Sequence, residues 1–244
     1  AGDVGDRALL PQHKRNPLPA AGGIEPQLVS DAKLFAPIAF RTRIERAVTP
    51  DDYALLAQRA EPARVQRAAA PPFRWNGSWY EARVAIDPLH TEELDDALRE
   101  DIEASLFRFR RIGHDLRVVP ADYVSLDLGL IICVLPQFLR AHVEAALLEL
   151  FSNRVRRDGT LGFFHPDNLT FGDGIHLSKL VAVAQSVAGV ESVKVTRLQR
   201  LFEGAHGEIA NGTLPIGTLE VARLDNDRSF PENGTLLLDV RGGR

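Results

Sequence analysis

Four residues that could ligate a metal, His165, Asp167, Asp173 and His176, fall within one stretch of twelve. A metal-dependent hydrolase would need such a set. The spacing matches no established zinc pattern, and Pro166 with its neighbouring glycines suits a shaped turn equally well. A structural loop is therefore the preferred reading. Asp225-Asn226-Asp227 has the look of part of a calcium loop. The full pattern needs a glycine and a distal glutamate in register. Glu232 is near, but the glycine is missing and Pro231 intervenes, so a polar turn is the simpler reading. Asp95, Asp96, Glu100, Asp101 and Glu103 lie on one expected helix and read as a solvated face with arginine partners, not as paired catalytic carboxylates. Arg108, Arg110 and Arg111 follow at its C-terminal end, where the helix dipole favours cations. Trp75, Trp79 and Tyr80 would make a carbohydrate- or peptide-binding groove if exposed, although large rings more simply pack in a core. The sequence holds no Gly-x-Ser-x-Gly elbow, phosphate loop or His-Glu-x-x-His helix. No catalytic, cofactor-binding or metal-binding residue is assigned.

Composition narrows the classes further. The 244 residues are 45% hydrophobic and 25% charged, enough for a sizeable core. Lys and Arg number 29 against 33 Asp and Glu, for a net charge of −4. Nucleic-acid binders usually carry a basic excess, so no nucleic-acid partner is expected. Cys133 is the single cysteine, which excludes an intrachain disulfide and multi-cysteine zinc motifs. No apolar run approaches the roughly 20 residues of a spanning helix. The chain contains no methionine, and it is expected to be the C-terminal piece of a longer protein.

The elements that must position these residues are read from local signals. Residues 1–45 carry five prolines and read as an extended, proline-rich arm. Thr49-Pro50-Asp51-Asp52 opens a helix: a cap, a proline at its first position and two acids at the positive end of the dipole. A short strand over residues 65–70 is followed by the Asn76-Gly77 turn and a strand over 79–86, which Asp87-Pro88 is expected to stop. Thr91 is read as the cap of the next helix, with Leu94, Leu98, Ile102 and Leu106 on its buried stripe. Residues 123–134 make the strongest strand, alternating first and then continuously apolar. Pro136 begins a helix with Leu139, Val143, Leu147 and Leu150 inward. Residues 158–174 form a folded loop. A helix over 177–187, a strand over 190–201 and two more strands over 217–224 and 235–240 complete the chain. The expected class is α+β. Two small subdomains with helices packed on short sheets are placed at 46–115 and 116–244.

Several segments together resemble the baseplate J-like wedge family, including the putative baseplate assembly proteins of contractile phage tails and phage-tail-like injection systems. They are Asn16-Pro-Leu-Pro-Ala-Ala-Gly-Gly23, Arg46-Ala-Val-Thr-Pro-Asp-Asp-Tyr53 and Gly77-Ser-Trp-Tyr80 with Val84-Ala-Ile-Asp-Pro88. The most specific is Gly159-Thr-Leu-Gly-Phe-Phe-His-Pro-Asp-Asn-Leu-Thr-Phe-Gly172. Val190-Glu-Ser-Val-Lys-Val-Thr-Arg-Leu-Gln199 follows, then Ala222-Arg-Leu-Asp-Asn-Asp227 and Phe230-Pro-Glu-Asn-Gly234. The resemblance covers residues 16–244.

The resemblance implies a structural role without catalysis or cofactors. It implies partners among other wedge subunits, a second copy or paralogue, and hub and sheath-initiating proteins, with no membrane insertion. Assembly would take place in the bacterial cytoplasm, within a tail or a released particle. A soluble carbohydrate- or peptide-binding module is the alternative, and a metal-dependent hydrolase a further one.

Overall fold

The computed structural model describes residues 44–244 and, before them, Val29, Ser30 and Lys33. The arm expected over residues 1–45 therefore lies almost wholly outside the described residues. Residues 44–244 form one compact unit of α+β architecture, in which helices pack on small sheets.

The first helix, α1 (Pro50–Ala60), starts where its sequence says it should. The Asp52 amide donates to Thr49 Oγ1 at 3.2 Å, and the Asp52 carboxylate accepts from the Thr49 amide at 2.8 Å. This reciprocal box satisfies two amides that the helix itself leaves unpaired. Those backbone bonds hold the Asp52 carboxyl below the usual carboxylate range.

The first sheet is built around β3 (Tyr80–Pro88). On one edge it pairs antiparallel with β1 (Val65–Ala69) and then β2 (Arg74–Trp75), which together make one interrupted strand. On the other edge it pairs in parallel with β4 (His114–Pro120). Helix α2 (Asp96–Phe107) makes the crossover between β3 and β4. Ala82, Val84 and Ile86 project from one face of β3 onto Tyr53 and Leu56 of α1 and Leu98, Ile102 and Leu106 of α2. That period-two against period-four match is what both sequence patterns require.

Three local expectations are corrected here. Asp87-Pro88 does not stop the strand but forms its end, paired with β1. Asp95, not Thr91, caps α2, accepting from the Ala97 amide at 2.6 Å; Thr91 caps only a turn at Glu93. Strand β4 occupies residues in which a subdomain boundary was placed, so a cut at 115/116 falls inside it.

The second sheet is built around β5 (Asp122–Val134). One edge pairs antiparallel with β7 (Val190–Arg200). The other pairs in parallel with β9 (Glu220–Arg223) and then β10 (Thr235–Gly242), again an interrupted strand. The two-stranded β6 (Ile175–His176) and β8 (Thr213–Leu214) stand apart. Leu126, Leu128, Leu130, Ile132 and Val134 project from one face of β5 into a core shared with Val143 and Leu147 of α3 (Arg140–Leu150) and Leu180 and Ala184 of α4 (Leu177–Gln185). Helix α3 begins at Arg140, after a turn at 135–138, and not at Pro136. Phe151, Phe163 and Phe164 pack together in this core with centroids 4.8–6.1 Å apart, Phe163 edge-on to both others.

Candidate functional site

The glycine-rich loop spends several of its polar groups on its own shape. His165 Nδ1 accepts from the Asp167 amide at 3.1 Å, which caps the one-turn 3-10 helix Pro166–Asn168. Asn168 donates to the Gly162 carbonyl at 2.7 Å. A Cβ on Gly162 would collide with the Ser152 carbonyl, so the loop folds back as tightly as it does because that residue is glycine. His176 lies beyond it at the start of α4, exposed. Among the described residues no three His, Cys, Asp or Glu side chains are placed to share a metal ion.

The Asp225-Asn226-Asp227 segment is likewise committed. Asp225 accepts from Asn153 at 2.9 Å and from Arg223 at 2.8 Å. Asn226, at φ 51°, accepts from the Leu236 amide, and Asp227 from the Ser229 amide. Asp227 closes a local turn, as aspartate side chains commonly do, while Asp225 and Asn226 tie the segment to other parts of the chain. The acids of α2 divide. Asp95 and Asp101 pair with Arg64 at 2.8 and 3.2 Å, and Asp96 with Arg99 at 2.9 Å. Glu103 turns toward β4 and accepts from the Val118 amide at 3.3 Å.

Of two further arrangements, one escaped sequence reasoning and the other was expected only as the alternative to core packing. The first is a buried pair where the two sheets meet. Tyr123 donates to Asp87 Oδ1 at 3.1 Å, while Asp87 Oδ2 is buried with no partner. Burial pushes the Asp87 carboxyl up to about 7, against the Tyr123 bond and with help from the charges of Asp167 and Glu92. Burial, with the Asp87 charge, also raises Tyr123, and burial raises Glu92 although Arg223 lies 2.9 Å away. Polar bridges knit the same seam: Gln66 to the Pro166 carbonyl at 3.4 Å, and His90 Nδ1 to Asp167 at 3.2 Å.

The second is an aromatic patch at the far end of the first sheet. Trp75, Trp79 and Tyr80 do not pack in the core; they are 57%, 53% and 50% exposed. They are nevertheless held in place. Trp75 meets Tyr80 edge-on at 5.3 Å, Tyr80 meets His114 at 5.8 Å, His114 meets Phe73 at 4.8 Å, and Phe73 meets the buried Tyr53 at 5.8 Å. A column of rings thus runs from core to surface. The turn carrying the tryptophans is closed by Asn76, which accepts from the Ser78 and Trp79 amides and donates to Asp115 at 2.7 Å. Trp79 lies against Gly113, where φ is +81° and a Cβ would stand 3.3 Å from the ring. Phe107 and Ile112 extend the apolar surface, and the Arg110 guanidinium sits 4.0 Å over the Phe107 ring.

A groove of about 630 Å³ runs beside this patch, between α2 and the free edge of β4. Glu81, Glu100, Glu103 and Asp115 line it, against Arg110 and Arg117. The surface is therefore acidic with an aromatic rim.

The family described as the baseplate J-like central domain matches residues 45–119. That stretch runs from just before α1 into β4, and so coincides with the first sheet and its two helices. No curated protein matches the chain. Among solved structures, a cryo-EM structure of the anti-feeding prophage (AFP) baseplate, 6-fold symmetrised, is similar over 82% of this chain and 42% of that one. Its TM-score is 0.48 and its sequence identity 14%. The chain spans less than half of that baseplate chain.

Proposed function

We propose, from the match of residues 45–119 to the baseplate J-like central domain, that the chain is a structural component of the baseplate of a contractile, phage-tail-like injection machine. One observation carries the reading: the matched stretch is a complete structural layer, with its own core of α1, α2 and β3. Its work is assembly, with other baseplate subunits as partners. More specifically, it acts as a wedge component that joins neighbouring wedges, a paralogue or second copy, the hub and the sheath-initiating proteins. It assembles in the bacterial cytoplasm and becomes part of a tail or tail-like particle. No helix among the described residues is long and apolar enough to cross a membrane.

We propose also that the chain divides into an arm at 1–45 and two subdomains, with the join moved to Ala121, where β4 has ended and β5 has not begun. The two separate apolar cores support this division. The arm would drape over a neighbour, since proline-restricted segments lose little entropy on docking.

The test is association. The full-length protein is mixed with the other tail components of its own gene cluster, and the products are weighed by light scattering. A stable hetero-complex of defined mass is expected. A protein that remains alone with every candidate would falsify the assembly reading. Deleting residues 1–43 should weaken assembly and leave the circular dichroism of the remainder unchanged. The exposed Trp75, Trp79 and Tyr80 favour a second reading, a carbohydrate- or peptide-binding module.

A further inference from the structure

We propose that the groove between α2 and the free edge of β4 binds an extended, arginine- or lysine-bearing segment of a neighbouring subunit. That the segment belongs to a neighbouring subunit rests on the baseplate reading; the chemistry of the segment rests on three features of the groove.

Charge is the first. Four carboxylates line the groove against two guanidiniums. One guanidinium, Arg110, is already occupied by the His114 carbonyl at 2.9 Å and by the Phe107 ring. Glu103 is bonded to β4, but no hydrogen-bond or ion-pair partner holds Glu81 or Glu100 among the described residues. An incoming cation would supply one.

The strand edge is the second. Strand β4 pairs with β3 on one side only. Its outward groups are those of alternate residues. The His114 carbonyl is taken by Arg110 and the Val118 amide by Glu103. Leu116, between them, turns its amide and carbonyl into the groove with no strand opposite. An unpaired donor and acceptor on one residue is what an added strand uses, and a sugar does not need.

The aromatic rim is the third. Phe107 lines the groove beside the carboxylates, and Trp79 stands on the turn closed by Asn76, which also lines it. Phe107 already accepts a guanidinium from its own chain, which shows that the rim suits cations.

The two tryptophans of the chain are Trp75 and Trp79, so tryptophan-selective emission reports on the turn beside this groove. The full chain is titrated with a synthetic peptide of alternating arginine and leucine, with its glutamate–leucine counterpart, and with chitohexaose. A saturable emission change is expected with the arginine peptide only. The double variant Glu81→Arg, Glu100→Arg should weaken it at least tenfold and gain affinity for the glutamate peptide, an outcome unfolding cannot produce. Glu191→Arg, on the exposed face of β7, should change nothing. Equal binding of both peptides, no binding of either, or unchanged affinity in the double variant overturns the proposal. Emission that responds to chitohexaose alone also overturns it and assigns the patch to carbohydrate. The same double variant is then mixed with the neighbouring components. Assembly that survives charge reversal removes the groove from the interface and leaves the baseplate reading standing. A wild-type chain that assembles with nothing sinks the baseplate reading, and the titration still decides the groove.

Discussion

The two sheets share a plan and use it differently. Each has one long central strand with an interrupted strand along one edge and a continuous strand along the other. In the second sheet the central strand is 13 residues long, and Phe151, Phe163 and Phe164 are folded inward under it. In the first the central strand has 9 residues, and Tyr80 and the neighbouring Trp75 stand where the sheet's core-facing side runs out past its helices. The same residue type therefore does opposite work. Rings are buried where helices cover them and exposed where helices stop short. Under the proposed function, the second sheet is the scaffold and the first makes the contacts.

The largest effect that can break this comparison is Phe164→Ala. The ring is fully buried, and its loss should cost about 3–5 kcal/mol in denaturant unfolding. A cost below about 1 kcal/mol would mean that this core tolerates loss as a surface does. The seam between the sheets comes next. Asp87 has a folded pKa raised to about 7 from an ordinary 3.8, so between those values the folded chain holds a proton that the unfolded chain has lost. Stability is therefore full at the acid end of the window and falls as pH rises through it, by on the order of 4 kcal/mol. Asp87→Asn keeps the acceptor for Tyr123 and removes the charge. It should flatten the thermal stability profile between pH 4 and 7, roughly the window those two pKa values define, and exceed wild type at pH 8. A slope identical to wild type would show that Asp87 is not its source.

Smaller effects sharpen the contrast. Thr49→Ala removes one half of the capping box and should cost about 1 kcal/mol by urea melt. Trp75→Ala, by comparison, should change stability by no more than about 0.5 kcal/mol while removing one of the two emitters. A larger loss would make Trp75 a core residue in spite of its exposure.

What the sequence made legible follows the range of the forces involved. Helix α1 was readable because its start is written within four residues, Thr49 to Asp52. The stripe of α2, the Val143 and Leu147 positions of α3 and the buried run of β5 were readable because each repeats, whereas Leu139, read as inward, is exposed ahead of the helix. Strand β4 was not, because His114 to Pro120 mixes Asp115 and Arg117 with apolar residues and follows an arginine cluster. Its strand character comes from pairing with β3, thirty-odd residues earlier, which no local pattern encodes. Thr91 and Asp95 are both acceptable caps, and the choice fell to Asp95, which also pairs with Arg64 on another segment. For the candidate site, the His165 and Asp225 turns were legible as turns. The exposure of Trp75, Trp79 and Tyr80 was not, since it depends on where two helices end in space. Nor was Asp87, whose burial is produced by Tyr123 and the loop around Asp167.

Strand β5 is joined at its N-terminal end, through Ala121, to β4 of the first sheet, and β10 runs beside it in the same direction over eight register pairs, Thr235↔Asp127 to Gly242↔Val134. A tug that drew the first sheet one way and the end of β10 the other would slide these strands along each other. Every bond between them would be strained at once, none ahead of the rest. The joint would behave as a lap seam and not as a zip, holding until it fails as a whole.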